Sequence, residues 1–132
     1  MKNYHFQLIT LVTCFFGNQS IVYSEMNMDI LAGKHVYTRC IGCHAPEYHR
    51  TGPKHCSLLG RRAGSVDKYE YTTAMKNSNI IWTKETLDLF LKAPFDMIPG
   101  TSMGFAGIPS NKERKQLITF LETLTKENPL CR

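Results

Sequence analysis

Cys40-Ile41-Gly42-Cys43-His44 is the stretch whose reading decides the fold. Two cysteines with two residues between them, followed at once by a histidine, form the attachment signature of a c-type haem. Each thiol can add across one vinyl group of a porphyrin to give a thioether. On one helical turn, cysteines three apart lie on the same side and reach both vinyls of one ring. The adjacent His44 then offers its imidazole to the iron as the proximal ligand. Two other readings compete. A Cys-x-x-Cys pair is also half of a zinc site or a thiol redox couple. Zinc asks for a second pair of ligands at similarly tight spacing, and His49, His55, Cys56 and Cys131 do not form one. A thiol couple of the redox kind sits near a βαβ pattern, and none is visible.

A second signal agrees with haem. Pro99-Gly100-Thr101-Ser102-Met103-Gly104-Phe105 carries a methionine just after a Pro-Gly turn. A methionine alone is usually core filler. Here the turn can hold the chain extended over a flat cofactor. Met103 follows His44 by 59 residues, enough for the chain to circle a porphyrin and return on its opposite face. With these two motifs the chain resembles the class I c-type cytochromes, of the bacterial periplasmic monohaem kind similar to mitochondrial cytochrome c. The resemblance runs from about Gly33 to Leu124. It implies an all-α cytochrome c fold, short helices wrapped around one covalently attached haem c. It also implies thioethers at Cys40 and Cys43, with His44 and Met103 as the axial ligands of the iron.

The same resemblance assigns further residues. The Pro53 carbonyl accepts a hydrogen bond from the proximal imidazole, fixing its orientation and raising its basicity. In Leu58-Leu59-Gly60-Arg61-Arg62-Ala63-Gly64, Leu58 packs on the ring and Arg61 lies near a propionate. Tyr71 and Trp82 donate to propionates, as does Thr101, and Phe105 closes the haem edge. Each of these is also an ordinary turn or core residue, and for the aromatics both roles are compatible. The chain departs from the family pattern at three places. His55 and Cys56 stand where a Leu and a variable residue are usual. His55 either points outward or bonds near the propionates; it lies too close in sequence to His44 for an axial role. Phe90 stands where a Tyr hydroxyl often bonds the ligand sulfur. Met75 stands at a pocket position usually polar, and is read as packing. Met97 is the rival axial methionine, but it precedes the Pro-Gly turn.

The chain has 132 residues and a formal net charge of +5, which suits a single domain. Residues 1–24 read as a secretory signal peptide and 25–132 as the cytochrome c domain. Lys2 is the only charged side chain before Glu25, and Phe6 to Phe16 is mostly apolar, too short to favour a membrane span. Val22-Tyr23-Ser24 is an acceptable cleavage context. Leu11-Val12-Thr13-Cys14 weakly resembles a lipoprotein box, so membrane tethering is the alternative to a periplasmic protein without stable membrane insertion. The resemblance implies haem attachment outside the cytoplasm, which agrees with export. Losing Lys2 leaves fifteen basic and eleven acidic side chains, a mildly basic surface that can be steered toward acidic partners. Lys54, Lys76, Lys84, Lys92 and Lys112 are candidates to ring an exposed haem edge. No basic run or aromatic–basic platform suggests nucleic acid.

Helices are expected over Met28–Arg39, where Ile30, Gly33 and Tyr37 share a face, and over Thr72–Asn77. A third starts at Thr83 with Glu85 in its first turn and stops at Ala93-Pro94. Ser110-Asn111-Lys112-Glu113 reads as a capping box, and Leu117, Phe120, Leu121 and Leu124 as the apolar face of the last helix. The resemblance places Gly33 and Tyr37 where the first and last helices cross. The Met loop is expected to run from Phe95 to Pro109. Setting aside the haem pair and Cys14, Cys56 and Cys131 remain, and in an oxidising compartment they form a candidate disulfide.

With nitrogen and sulfur on both faces, such an iron has no open position and serves one-electron transfer. The expected function is therefore a non-enzymatic, monomeric carrier between a quinol-oxidising complex or dehydrogenase and a terminal oxidase or reductase. The alternatives are a haem peroxidase or gas-binding protein with a labile Met103, and a dedicated electron-accepting subunit of a dehydrogenase.

Overall fold

The structure, a computed structural model, describes residues 22–132. Helix α1 is described over 22–37 and is followed by a run of turns over 38–43 that carries both haem-motif cysteines. After a long loop come α2 (Thr73–Asn77), α3 (Lys84–Lys92), α4 (Pro94–Met97) and α5 (Asn111–Glu122), with a 3-10 turn at Pro129–Cys131. Among the described residues the only strand-like pairing is a single bridge between Arg62 and Ile81. The all-α expectation holds.

The first helix extends N-terminally beyond the expected start at Met28, and it closes at 37 rather than at Arg39. The early residues 22–29 are exposed, so no burial pattern marks them as helical. Most of the expected leader, including Cys14 and the apolar stretch from Phe6 to Phe16, lies outside the described residues. Among those described, no helix is long and apolar enough to cross a membrane.

Caps form much as their residues dictate. The Thr72 hydroxyl accepts from the Met75 amide at the head of α2, and Thr83 and Thr86 cap α3 reciprocally. At α5 only half of the expected capping box forms. The Ser110 hydroxyl accepts from the Glu113 amide, but the Glu113 carboxylate pairs with Arg39 of the segment after α1. A charged partner outcompetes the Ser110 amide for that carboxylate. Pro94 ends α3 as expected, then opens α4, so the Met loop begins with a helical turn. Proline is well suited to a first helical position because its missing N–H would be unpaired there anyway.

α1 crosses α5 at Gly33. A Cβ on Gly33 would sit 2.6 Å from the Gln116 carbonyl carbon and 2.9 Å from Cβ of Phe120. Only glycine allows so close an approach. Tyr37 packs one turn on, its ring 5.1 Å from that of Phe120, and Asp29 accepts from the Gln116 amide at 2.9 Å. α3 packs against α5 and α4. The faces expected to be apolar are buried: Leu87, Phe90 and Leu91 on α3, and Leu117, Phe120 and Leu121 on α5, followed by Leu124. Arg114 is buried beside them at 6 % exposure. Its guanidinium forks onto Asp88 of α3 at 2.8 and 3.2 Å and donates to the carbonyls of Ile108 and Pro109 at 2.9 Å each. It thereby ties α3, α5 and the end of the Met loop together.

Candidate functional site

Residues of the helices and of the loops together line a cavity of about 530 Å³. That volume is in the range of a cofactor site. Cys40, Cys43 and His44 line it from the turns after α1. The amides of Cys43 and His44 both point back to the Cys40 carbonyl, at 3.1 and 2.8 Å, so the motif is one helical turn. Cys40 and Cys43 are not bonded to each other. Burial pushes the Cys40 thiol up to about 11, against a smaller opposing effect of Arg39.

His44 is buried and tightly placed. Its Nδ1 lies 2.7 Å from the Pro53 carbonyl oxygen. The ring also lies against Gly52, where a Cβ would fall 2.6 Å from both imidazole nitrogens. Glycine at this position is therefore what lets the loop carry Pro53 close enough to accept. Burial lowers the His44 pKa, and the bond to Pro53 opposes that.

Thr101, Met103 and Phe105 line the same cavity. The Thr101 hydroxyl accepts from the Met103 amide at 3.3 Å. Met97, the rival methionine, packs on the core from α4 and does not line the cavity. His49 is also outside, held between the Asp67 carbonyl and the Lys54 amide. The remaining expected contacts, Leu58, Arg61, Tyr71 and Trp82, all reach the cavity wall. Leu58 and Trp82 are buried, and Trp82 stacks obliquely on Phe90 at 5.0 Å. Phe90 and Met75 line the cavity as well as packing in the core.

Arg61 supplies a test of fit. Two of its nitrogens donate to the carbonyls of Lys54 and Cys56. Its Nε is the one buried side-chain nitrogen or oxygen among the described residues with no hydrogen-bond partner. A buried unpaired N–H is costly. A guanidinium left so at the wall of an apolar cavity suits a carboxylate, which is what a porphyrin propionate presents. Together with two thiols on one turn and an imidazole beside them, the donor set fits a haem c. It does not fit a bare ion: among the described residues no three His, Cys, Asp or Glu side chains group as a metal site requires.

His55 lines the same cavity as His44 and Arg61. Its ring stacks on that of His44, with centroids 4.2 Å apart and planes 22° apart, and its Nδ1 is hydrogen-bonded to the Tyr37 hydroxyl at 3.1 Å. Burial first, then the charges of His44 and Arg61, holds its pKa well below the ordinary value. Next to it, Cys56 is disulfide-bonded to Cys131, with Cα atoms 5.7 Å apart. None of the five candidate lysines lines the cavity; Arg39 and Arg61 are its cationic residues. The two residues that sequence reading passed over are Arg114 and Gly52. A lone arginine on the apolar side of α5 was the available signal for the first. The Gly-Pro pair already marked the second.

A family model described as cytochrome c matches residues 30–125. Cytochrome c of Cochliobolus lunatus is 47 % identical over 92 residues, covering 67 % of this chain and 85 % of that protein. Cytochrome c-550 of Bradyrhizobium diazoefficiens is 37 % identical over 102 residues, covering 75 % of each. Among solved structures, cytochrome cH from Methylobacterium extorquens superposes with a TM-score of 0.69 at 33 % identity, over 70 % of this chain and 96 % of that one. The chain thus belongs to the class I c-type cytochromes, and its cofactor is one covalently attached haem c.

Proposed function

We propose that residues 25–132, released by cleavage of the leader 1–24, act as a soluble, monomeric electron carrier of the periplasm, with His44 and Met103 as axial ligands. One observation carries the ligand assignment: His44 and Met103 line one cavity with both haem-motif cysteines, and the rival Met97 does not. A haem held there supplies a one-electron ferrous–ferric couple. The residues do the rest. Cys40 and Cys43 anchor the group through thioethers. Pro53 holds the proximal imidazole by its Nδ1, and Thr101 holds the amide of the residue opposite. Arg61 compensates a propionate. Leu58, Trp82, Leu87, Phe90 and Leu121 exclude water, which favours the less charged ferrous form. Two axial side chains leave no position for substrate, so the protein is non-enzymatic. Its partners are redox proteins such as a quinol-oxidising complex or dehydrogenase on one side and a terminal oxidase or reductase on the other.

The test is the ferric absorption spectrum of the purified protein beside Met103→Ala and Met97→Ala. Wild type and Met97→Ala should show the weak long-wavelength band of iron–thioether ligation, and Met103→Ala should lack it. Loss of the band only in Met97→Ala refutes the assignment. A high-spin spectrum in the wild type instead favours a peroxidase or gas-binding protein.

A further inference from the structure

Two restraints on the axial imidazole are accounted for: the Pro53 carbonyl holds Nδ1, and the Gly52 backbone lies against the ring. A third is not. His55 lies nearly parallel to His44 at 4.2 Å, a stacked pair slightly closer than is usual for aromatic rings. It is itself held at two points. The buried Tyr37 hydroxyl is bonded to its Nδ1, and Tyr37 is fixed in turn by Phe120 of α5. One residue on, Cys56 is tied through Cys131 to the C-terminal turn. A single hydrogen bond at Nδ1 fixes where an imidazole sits but leaves it free to rock about that bond. A parallel ring pressed on its face removes that freedom.

Resting on the proposed ligation by His44, we propose that His55 is a positioning residue for the axial imidazole, and that the Tyr37–His55 pair holds the haem potential below what an apolar occupant would set. The second clause follows from charge. The ferric form carries one more positive charge than the ferrous form. Polar groups beside the axial ligand stabilise that charge, and apolar ones do not. A hydrogen-bonded imidazole and phenol bring two dipoles to the side of the axial ligand where an apolar occupant would bring none.

Three variants of the holoprotein separate the effects. His55→Leu removes both stacking and polarity. His55→Phe keeps a flat ring and removes the hydrogen bond. Tyr37→Phe keeps both rings and removes only the hydroxyl. The readouts are the midpoint potential and the low-spin ferric electron paramagnetic resonance spectrum, whose g-values report the orientation and rigidity of the axial imidazole. The expected results are a more positive potential in all three and altered g-values in His55→Leu alone. Adding Tyr37→Phe to His55→Phe should shift the potential no further, because the pair acts as one unit. A merely structural His55 would lower stability and leave potential and g-values unchanged, and that result overturns the proposal. So does additivity of the two Phe substitutions. Failure of the Met103 assignment is read separately, from the wild-type spectrum, and leaves the comparison on the His44 side intact.

Discussion

Gly33→Ala tests the crossing of α1 and α5 on which the cavity rests. The added Cβ would lie 2.6 Å from the Gln116 carbonyl carbon and 2.9 Å from the Phe120 Cβ. Carbon atoms pack at about 3.5–4.0 Å, so the helices must part by roughly 1 Å. The obstructing atoms are the carbonyl carbon and oxygen of Gln116, both α5 backbone, and the first side-chain atom of Phe120, so no rotamer change relieves the clash. Overpacking of this kind costs about 1–3 kcal/mol, and occasionally more. Parting the helices also loosens the Tyr37–Phe120 contact at 5.1 Å. A gap of about 0.5–1 Å forfeits roughly a quarter to a half of each such contact. Alanine's better helix propensity returns up to about 1 kcal/mol. The net expectation is a loss of about 1–3 kcal/mol, dominated by the overpacking and the opened seam. Urea unfolding of the holoprotein, followed by fluorescence of the single tryptophan Trp82, reads this directly. With a slope of about 2 kcal/mol/M the midpoint should fall by about 0.5–1.5 M. An unchanged or higher midpoint at the same slope would refute the argument, since it would mean that the helices do not touch where glycine allows them to.

Three further outcomes are expected. Arg114→Met keeps the stem but strands Asp88 and the carbonyls of Ile108 and Pro109, so the thermal midpoint should drop by the equivalent of about 3–5 kcal/mol; a drop no larger than that of an exposed arginine variant contradicts the tie between α3, α5 and the Met loop. Cys56→Ser with Cys131→Ser should cost about 2–4 kcal/mol, and reductant should destabilise the wild type but not the variant; identical melts with and without reductant argue against the bridge. Arg39 holds the Glu113 carboxylate below its ordinary value of 4.5. A lowered folded-state pKa means stability that is fully present above pH 4.5 and lost as pH falls through the folded value. The difference between wild type and Glu113→Gln should therefore be constant at neutral pH and vanish in acid, and a difference that grows in acid would reverse the sign of the coupling.

Much of the site was legible because its chemistry is local. One helical turn brings two thiols and an imidazole together, and a Pro-Gly turn presents a methionine, so five residues at each place carry their own geometry. The apolar faces of α3 and α5 were legible for the same reason: helical period alone decides which side chains share a side. Glu113 was misread because the capping box is a local rule, and Arg39, distant in sequence, offered its carboxylate a stronger partner. α4 was missed because one turn after a proline has no period to detect.

The linear order of residues by itself determined that this chain attaches a haem, that it is helical, and which side chains face inward, since those depend on spacings of one to seven residues. Only tertiary structure decided what surrounds His44. Gly52 pressed against its ring, His55 stacked on it, Tyr37 behind His55, and Arg61 left with a free Nε arise where four separate segments meet. Such contacts depend on how helices cross and loops return, and no short-range spacing encodes that.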